Sequence, residues 1–188
     1  MKPIIFSTPM VQAILDGKKT QTRRVIKIDD APENWKISIA GTSIVRTEPY
    51  DVKLPRYAAG DILWVREAWC KNENPNSPNY GGYEYYADYE GAHCQSLIKW
   101  RSPIFMPREA ARLFLKVKTV RVERLQDITE EDAIAEGMSN TLVDGVVFIS
   151  AKGNFHVFWD SLNIKRGYGW DTNPWVWVIE FEREEVEE

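Results

Sequence analysis

The feature that most constrains the fold of this sequence is a change of apolar phase inside one long strand pattern, residues 112–122. Side chains of a β-strand alternate between its two faces, so one buried face requires an apolar residue at every second position. The apolar residues before Lys118-Thr119 are Leu113, Leu115 and Val117, and those after it are Val120 and Val122. A bulge or sharp bend explains such a change, and barrels use these bends at their corners.

Other extended segments are consistent with a small curved sheet. ILWVRE follows the turn at Gly60-Asp61, and PWVWVIEFER near the C-terminus is the clearest strand of the sequence. Its alternating apolar face consists of Trp175, Trp177, Ile179 and Phe181. The segment 18–26, KKTQTRRVI, instead has polar residues on both faces, whereas an ordinary strand buries one face. We interpret it as a sheet edge or a functional site.

The helices are short and are marked by cap signals. Thr8-Pro9 precedes an amphipathic run, and Gly17 is placed to end that run in the left-handed conformation. DITEEDAIAEGM gives a second helix, with Thr129 as its cap and Gly137 after its end. Apolar residues at helical spacing predict a third helix that starts at Asn154-Phe155. Short strands mixed with short helices predict an α+β fold.

Composition indicates one globular domain over residues 1–188. Hydrophobic residues make up 44% of the chain and charged residues 28%, close to the averages of soluble domains. A chain of this size buries roughly 70% of its unfolded surface, which is enough for a core without disulfides. No apolar run approaches the roughly 20 residues of a membrane-spanning helix, and no signal peptide is evident. We therefore expect a cytoplasmic protein with no membrane partner.

Cysteine and histidine give no metal signal. Cys70 and Cys94 lack the CxxC spacing of zinc sites, and the two histidines are His93 and His156. A Cys/His metal site would need all of these ligands to converge. We therefore expect reduced thiols, no metal and no cofactor.

Charge is segregated along the chain. The net charge of −4 argues against a nucleic-acid binder that uses its whole surface, but phosphate contacts are local. Residues 1–27 carry six Lys/Arg against one acid, and residues 99–124 carry eight against two. The stretch 127–136 holds five acids and no base. The two basic stretches are compatible with one basic groove or, alternatively, with ordinary solvated faces.

Three segments together resemble the ASCH domain, a PUA-like β-barrel family associated with RNA. They are ILDGKKTQTRR at 14–24, AGDILWVRE at 59–67 and VKTVRVERLQDITEEDAIAEGM at 117–138, and FHVFWDSLN with PWVWVIEFE completes the pattern. The chain is most similar in layout to the longer ASCH proteins of phages and prophages. The resemblance implies a PUA-like mixed β-barrel with short flanking helices, and one domain with insertions at about 70–103 and 138–153.

The resemblance also implies an activity. Some small bacterial ASCH proteins are amidohydrolases that remove the acyl group from the exocyclic amine of acetylated cytidine, with a Lys, a Thr and a Glu as catalytic residues. By motif position these are Lys19, Thr22 and Glu136. Amide hydrolysis needs a nucleophile, a base and an acid, so the residue types suit the reaction. The candidate substrate-binding residues are Thr20, Arg24, Arg66, Glu67 and Trp69.

Catalysis by Lys19, Thr22 and Glu136 requires their side chains to lie close together. Lys19 and Thr22 are three positions apart, so on a regular strand their side chains would face opposite ways. They converge only if the chain turns just after Gly17. Lys19 acts as a base only if burial or neighbouring cations lower its pKa. In the alternative, purely structural reading, Glu136 only forms an ion pair with Lys19 or Arg24.

Two other functions remain open. A non-catalytic RNA-binding module would use the basic stretch 99–124 with exposed aromatic rings to hold single-stranded RNA. The candidate rings are Trp69, Tyr83, Tyr85 and Trp100, while most of the other tryptophans are expected in the core. A phage accessory protein without a small-molecule site is the second alternative. The expected partner is a nucleoside or single-stranded RNA, with no obligatory protein partner.

Overall fold

The computed structural model describes residues 1–28, 32–38, 41–46, 51–89, 98–144 and 146–185. Within these ranges the chain is a mixed α+β protein with several small sheets and three α-helices, which confirms the α+β prediction. No helix in the described ranges has the length and apolar character needed to span a membrane.

The strands and helices are short apart from two long strands near the C-terminal half of the chain. The strands are β1 (Lys2–Ile5), β2 (Gln21–Val25), β3 (Trp35–Ile37), β4 (Ile44–Arg46), β5 (Asp51–Lys53), β6 (Ile62–Arg66), β7 (Trp69–Lys71), β8 (Tyr83–Tyr85), β9 (Phe114–Arg124), β10 (Thr141–Val143), β11 (Val146–Ile149) and β12 (Trp175–Glu184). The α-helices are α1 (Thr8–Leu15), α2 (Glu130–Ala135) and α3 (Ala151–Asn163).

The chain forms two compact units. Unit 1 consists of Met1–Gly17, Asp61–Lys116 and the residues from Arg183 onward, and unit 2 consists of Lys18–Gly60 and Val117–Glu182. Strand β9 begins in unit 1 and continues into unit 2.

Unit 1 is built on β1, β6 and the first residues of β9. Strand β1 runs parallel to β6, with Ile4 opposite Val65, and β6 runs antiparallel to β9, with Leu63 opposite Leu115. All four of these side chains are buried. Strands β7 and β8 form a separate antiparallel hairpin. The predicted cap of α1, Thr8, is its first helical residue, and Ser7 takes the N-cap position without a side-chain hydrogen bond, so Pro9 lies in the first turn one position later than predicted. Helix α1 contacts the 3₁₀ turn Tyr86–Tyr89.

Unit 2 is built on β12, which lies between β9 and β2. Strand β2 is the last strand of this order and pairs antiparallel with β12, with Thr22 opposite Ile179. The position of β2 at the edge of the described sheet fits the interpretation of 18–26 as an edge. Strands β3, β4 and β5 form a second sheet, and β10 pairs with β11.

Helices α2 and α3 cover the core of unit 2. Its buried cluster consists of Leu125, Ile128, Ala133, Ala151, Phe155, Trp159, Val176 and Val178. Val176 and Val178 lie on β12 between the residues of its predicted apolar face, so β12 is buried on both faces. The sequence pattern predicted one buried face, because neighbours on the second face cannot be inferred from alternation alone.

The change of apolar phase in β9 is present in the structure. Leu115 and Val117 are buried, Lys118 and Thr119 are exposed, and the buried positions then resume at Val120 and Val122. Val117 is the first residue of β9 that belongs to unit 2, so the change of buried face lies at the start of the part of β9 that belongs to unit 2.

Both ends of α2 follow the sequence prediction. The Thr129 hydroxyl accepts a hydrogen bond from the Asp132 backbone N–H at 3.1 Å, and Gly137 adopts a left-handed φ of +91° after the helix.

Helix α3, in contrast, starts at Ala151, three residues before the predicted Asn154. Its first turn, Ala151-Lys152-Gly153, lacks the apolar spacing on which the prediction relied, and Ser150 and the Glu130 carboxylate satisfy its free N–H groups.

Substitution of the central core residue should unfold unit 2 more readily. Phe155→Ala removes a side chain that is 2% exposed and should lower the free energy of unfolding by about 3–5 kcal/mol, from lost burial and the cavity left behind. Urea denaturation measures this change. Val157→Ala, on the exposed side of the same helix, should change stability by no more than about 0.5 kcal/mol. Equal effects of the two substitutions would contradict the assigned core.

Candidate functional site

The chain turns directly after α1, as the convergence of the candidate catalytic residues requires. Gly17 has a φ of +72°, a left-handed conformation that glycine adopts at no steric cost. Lys19 then forms a single antiparallel bridge with Glu136, and the Thr20 backbone N–H donates to the Ala135 carbonyl at 2.8 Å. Strand β2 begins after these contacts, so the end of α2 holds the segment that leads into it.

The ammonium group of Lys19 is buried and has three oxygen acceptors. Nζ donates to Glu136 Oε2 at 2.7 Å, to the Glu136 carbonyl at 2.8 Å and to the Gln21 carbonyl at 2.8 Å. The side chain is 1% exposed. Because an ammonium has three protons, these acceptors satisfy the charged form in full.

The carboxylate of Glu136 accepts hydrogen bonds from two cationic side chains. Its Oε2 accepts from Lys19, and its Oε1 accepts from Arg23 Nη1 at 3.2 Å. The backbone of Glu136 is fixed by the end of α2, where its N–H donates to the Asp132 carbonyl at 2.8 Å. The side chain is 5% exposed, so the carboxylate is held by these partners rather than by solvent.

Arg23 extends this cluster toward β9 and α2. Its Nε and Nη2 both donate to Glu123 Oε1, at 2.9 and 2.6 Å, and Nη2 also donates to Asp132 Oδ2 at 2.9 Å. The Gln21 side-chain amide donates to both the carbonyl and Oδ1 of Asp132. Arg121 donates to Glu123, to Asp132 and to Glu180 at the outer side of the cluster.

The motifs indicated Lys19 and Glu136 as site residues but not Gln21, Arg23, Glu123 or Asp132. The sequence did contain a signal for Gln21 and Arg23, because residues 19, 21 and 23 fall on one face of an extended segment and all carry hydrogen-bond donors. Their acceptors come mainly from the acidic stretch 127–136, where α2 brings Asp132 and Glu136 to the same face at a spacing of four. We call the set Lys19, Gln21, Arg23, Glu123, Asp132 and Glu136 the ionic cluster.

Burial is the main influence on Lys19. It lowers the pKa of the ammonium, the charge of Glu136 opposes this effect, and Arg24 and Arg23 add to it. For Asp132, burial acts to raise the pKa, but the hydrogen bond from Gln21 and the charges of Arg23 and Arg121 outweigh it and lower the pKa. The surroundings therefore favour the ionised form of Asp132 and a Lys19 that gives up its proton more readily than usual.

Thr22 follows Lys19 by three positions and, since side chains alternate along a strand, belongs to the opposite face of β2 from Gln21 and Arg23. It is 4% exposed, and the Gln21 carbonyl that accepts from Lys19 Nζ belongs to the peptide bond between Gln21 and Thr22. The structure thus brings Lys19 and Glu136 into direct contact and places the Lys19 ammonium on the peptide next to Thr22. Arg24, opposite Trp177 on β12, is partly buried, and Thr20 is exposed. Whether these residues act in catalysis or binding stays a prediction.

The other candidate binding residues belong to unit 1. Both oxygens of Glu67, 1% exposed, accept from Arg112, each at 3.0 Å. Burial raises the pKa of Glu67, although Arg112 opposes this. Arg66 donates to the Met106 carbonyl and lies over the Trp64 ring. The bonds to Arg112 hold the Glu67 carboxylate in place, and its role in substrate binding stays a prediction.

Unit 1 contains a groove whose lining includes Cys70, the chain neighbour of Trp69, but not Trp69 itself. The groove has a volume of about 880 Å³ and its lining includes Lys71, Glu84, Lys99, Trp100 and Arg101. The Arg101 guanidinium lies 5.3 Å from the centre of the Trp69 ring, which is 4% exposed.

Cysteine chemistry in the described ranges is limited to Cys70, a buried thiol in the groove lining whose pKa is raised by burial. Cys94 and His93 lie outside the described residues. Within the described residues, no group of three or more His, Cys, Asp or Glu side chains is arranged to hold a metal ion.

Comparisons with known proteins give no family for this chain. No protein-family model matches the sequence, and no curated protein matches it. The crystal structure of protein EF3133 from Enterococcus faecalis V583, a DUF984 protein, is similar over 100% of this chain and 87% of that chain. Sequence identity is 11% and the TM-score is 0.45, so this similarity supports no inference about function.

Removal of the Glu136 charge should destabilise the protein strongly. Glu136→Gln leaves Lys19 and Arg23 buried without their shared carboxylate, and should lower the free energy of unfolding by about 3–5 kcal/mol. Glu180→Gln is the matched control, because its carboxylate also pairs with an arginine but is 39% exposed, and it should cost at most about 1 kcal/mol. Denaturant titrations of both variants measure the difference. A loss for Glu136→Gln as small as that for Glu180→Gln would contradict the assigned role of the buried carboxylate.

Proposed function

We propose that this chain is a PUA-like ASCH domain that hydrolyses the amide bond between an acyl group and the exocyclic amine of cytidine. The observation that carries the proposal is the buried Lys19 ammonium, which contacts Glu136 and the Gln21–Thr22 peptide. The ASCH-like motifs contribute the same three residues, Lys19, Thr22 and Glu136. A lysine base is one of the known solutions for activating a weak hydroxyl nucleophile, and the lowered pKa of Lys19 suits that role.

The proposed reaction begins when the Thr22 hydroxyl comes within hydrogen-bond reach of Lys19 Nζ. Neutral Lys19 then accepts the hydroxyl proton while Oγ1 attacks the acyl carbonyl carbon. The carbon–nitrogen bond then breaks, the Lys19 ammonium returns the proton to the departing amine, and the acyl group remains on Thr22. Water hydrolyses this ester and restores the threonine. Glu136 positions Lys19 and stabilises its ammonium form between the two proton transfers. Arg24 and Thr20 are the proposed substrate contacts nearest to this group.

Loss of the nucleophile should abolish activity without loss of the fold. Thr22→Val keeps the shape and strand preference of the residue but removes the hydroxyl, so release of acetate from acetylated cytidine should fall by at least about 10³-fold. Thr22→Ser keeps a hydroxyl and should retain a measurable part of the activity. Chromatography of cytidine and its acetylated form follows the reaction, and thermal unfolding verifies that both variants are folded.

Two outcomes would contradict the proposed mechanism through an acyl-threonine. One is absence of turnover by the folded wild-type protein over a series of acyl groups. The other is turnover by Thr22→Val at the wild-type rate, since the covalent step then has no nucleophile. A loss of turnover in Lys19→Met, with Thr22→Val and Thr22→Ser both active, would instead indicate attack by water without an acyl-threonine.

The pH dependence should identify Lys19 as the base. Since the neutral amine is the active form, kcat/KM should rise with pH through the lowered pKa of Lys19, and the midpoint of this rise should lie below the ordinary lysine pKa. Glu136→Gln removes a charge that raises this pKa, so the rising limb should move to lower pH. Arg24→Gln removes a cation that lowers it, so the limb should move to higher pH. Shifts in the same direction, or none, would contradict the assignment.

A second candidate function is binding of single-stranded RNA without catalysis, and the groove in unit 1 favours it. Lys71, Lys99 and Arg101 line the groove together with Trp100, whose ring contacts Tyr86 and Tyr89. Cations hold phosphates, and an aromatic ring stacks on any base. Retention of RNA that weakens with salt and with Lys99→Glu, but not with Lys19→Met, would favour this function if no turnover occurs.

A further inference from the structure

Arg23 is a buried cation of unit 2 to which the proposed reaction gives no role. Its side chain is 0% exposed, and its guanidinium lies 5.9 Å from the centre of the Phe155 ring. Burial of a charge is costly even when the charge is paired, and hydrophobic residues of similar volume are often as stable. A buried arginine next to a candidate base is therefore better explained by a role in the site than by stability alone.

The two carboxylate oxygens of Glu136 have different partners. Oε2 accepts from Lys19 Nζ at 2.7 Å, and Oε1 accepts from Arg23 Nη1 at 3.2 Å. The remaining N–H groups of Arg23 are held by Glu123 on β9 and Asp132 on α2. A guanidinium is planar and its N–H groups point in fixed directions, so these contacts also fix the orientation of the group. Arg23 thereby keeps Oε2 of Glu136 directed at Lys19.

The contact between Arg23 and Glu136 matters most when Lys19 is neutral. In the proposed reaction the base is the uncharged amine of Lys19, so the positive charge of Lys19 is absent when the attack begins. The Glu136 side chain is 5% exposed, and a carboxylate buried there without any cation would be strongly unfavourable. An arginine keeps its charge throughout the working range of pH. Glu136 therefore keeps one cation whether or not Lys19 carries its proton.

We propose that Arg23 is a positioning residue of the reaction, which holds Glu136 paired and oriented while Lys19 alternates between its charged and neutral forms. This inference rests on the proposed hydrolase function, because it assigns Arg23 to the step in which Lys19 acts as the base.

The electrostatic effects on Lys19 have the direction that this role requires. Burial is the main cause of its lowered pKa, the charge of Glu136 opposes this, and the charges of Arg24 and Arg23 lower the pKa further. Among the described residues, these are the charged groups that act on Lys19 from β2 and from the end of α2. Arg23 thus favours the neutral amine while it stabilises the carboxylate beside it.

The pH profile of Arg23→Gln tests the proposal. Without Arg23, loss of the Lys19 proton leaves Glu136 unpaired, so the charged lysine is favoured and the rising limb of kcat/KM should move to higher pH. At neutral pH kcat/KM should fall by roughly 10-fold, while the plateau at high pH stays within about 2-fold of the wild type. A residue that only supports the fold would lower the plateau or the stability and leave the limb in place.

Arg121→Gln is the matched control. Arg121 also donates to Glu123 and Asp132, but none of its hydrogen bonds among the described residues reaches Glu136, and its side chain is 35% exposed. The limb of this variant should stay at the wild-type position. If Arg23→Gln does not fold, the double variant Arg23→Gln/Glu123→Gln removes a cation and an anion together and should show the same shift. Arg23→Lys keeps a cation and should leave the limb near its wild-type position.

NMR titration of Lys19 separates failure of this inference from failure of the hydrolase. The signal of the Lys19 ε-methylene, assigned by its absence in Lys19→Met, reports the protonation of the amine without substrate, and it should titrate at higher pH in Arg23→Gln. Absence of turnover by the folded wild-type protein would reject the hydrolase, and with it a role of Arg23 in the reaction. Turnover by the wild type, with the limb and the Lys19 titration unchanged in folded Arg23→Gln, would overturn the role of Arg23 alone. Equal shifts of the limb in Arg121→Gln or Arg23→Lys would overturn it as well.

Discussion

The arrangement of unit 2 depends on the buried carboxylate of Glu136. A charge out of water is costly unless it is paired and hydrogen-bonded, so its partners must be brought in from several elements at once. Glu136 stands at the end of α2, Lys19 precedes β2, and Arg23 lies within β2 and reaches Glu123 on β9. Complete pairing of this group fixes the register of the edge strand against the helix.

The same pairing shapes the proposed chemistry. Three acceptors around the Lys19 ammonium stabilise its charge, whereas burial and the neighbouring arginines act to remove its proton. A neutral amine has only two protons, so one of the three oxygens must lose its donor whenever Lys19 acts as a base. Catalysis in this cluster would thus work against part of the bonding that holds the fold, as is typical of sites in which stability and activity compete.

Local sequence signals predicted the helix, turn and strands around the ionic cluster. The contacts between residues far apart in the sequence could not be predicted. The caps of α2, the turn at Gly17 and the phase change in β9 each follow from conformational preferences of a few neighbouring residues. Arg23 was missed because its partners Glu123 and Asp132 lie about 100 residues away in the sequence. The start of α3 was misplaced because a side chain of α2, Glu130, caps it. A PUA-like barrel remains a prediction from motifs.

The hairpin formed by β10 and β11 is closed at its base, and this closure determines where the sequence of the chain can vary. Hydrogen bonds join Asn140 to Ala151 and Asn154 to Ser139, so both ends of the segment meet the rest of unit 2 at one point. Lengthening a loop beyond such a closure costs only about 0.6 kcal/mol for each doubling of its length. The tip can thus be extended, shortened or replaced during evolution while Lys19 and Glu136 keep their positions, and a laboratory graft at Asp144 could use the same freedom.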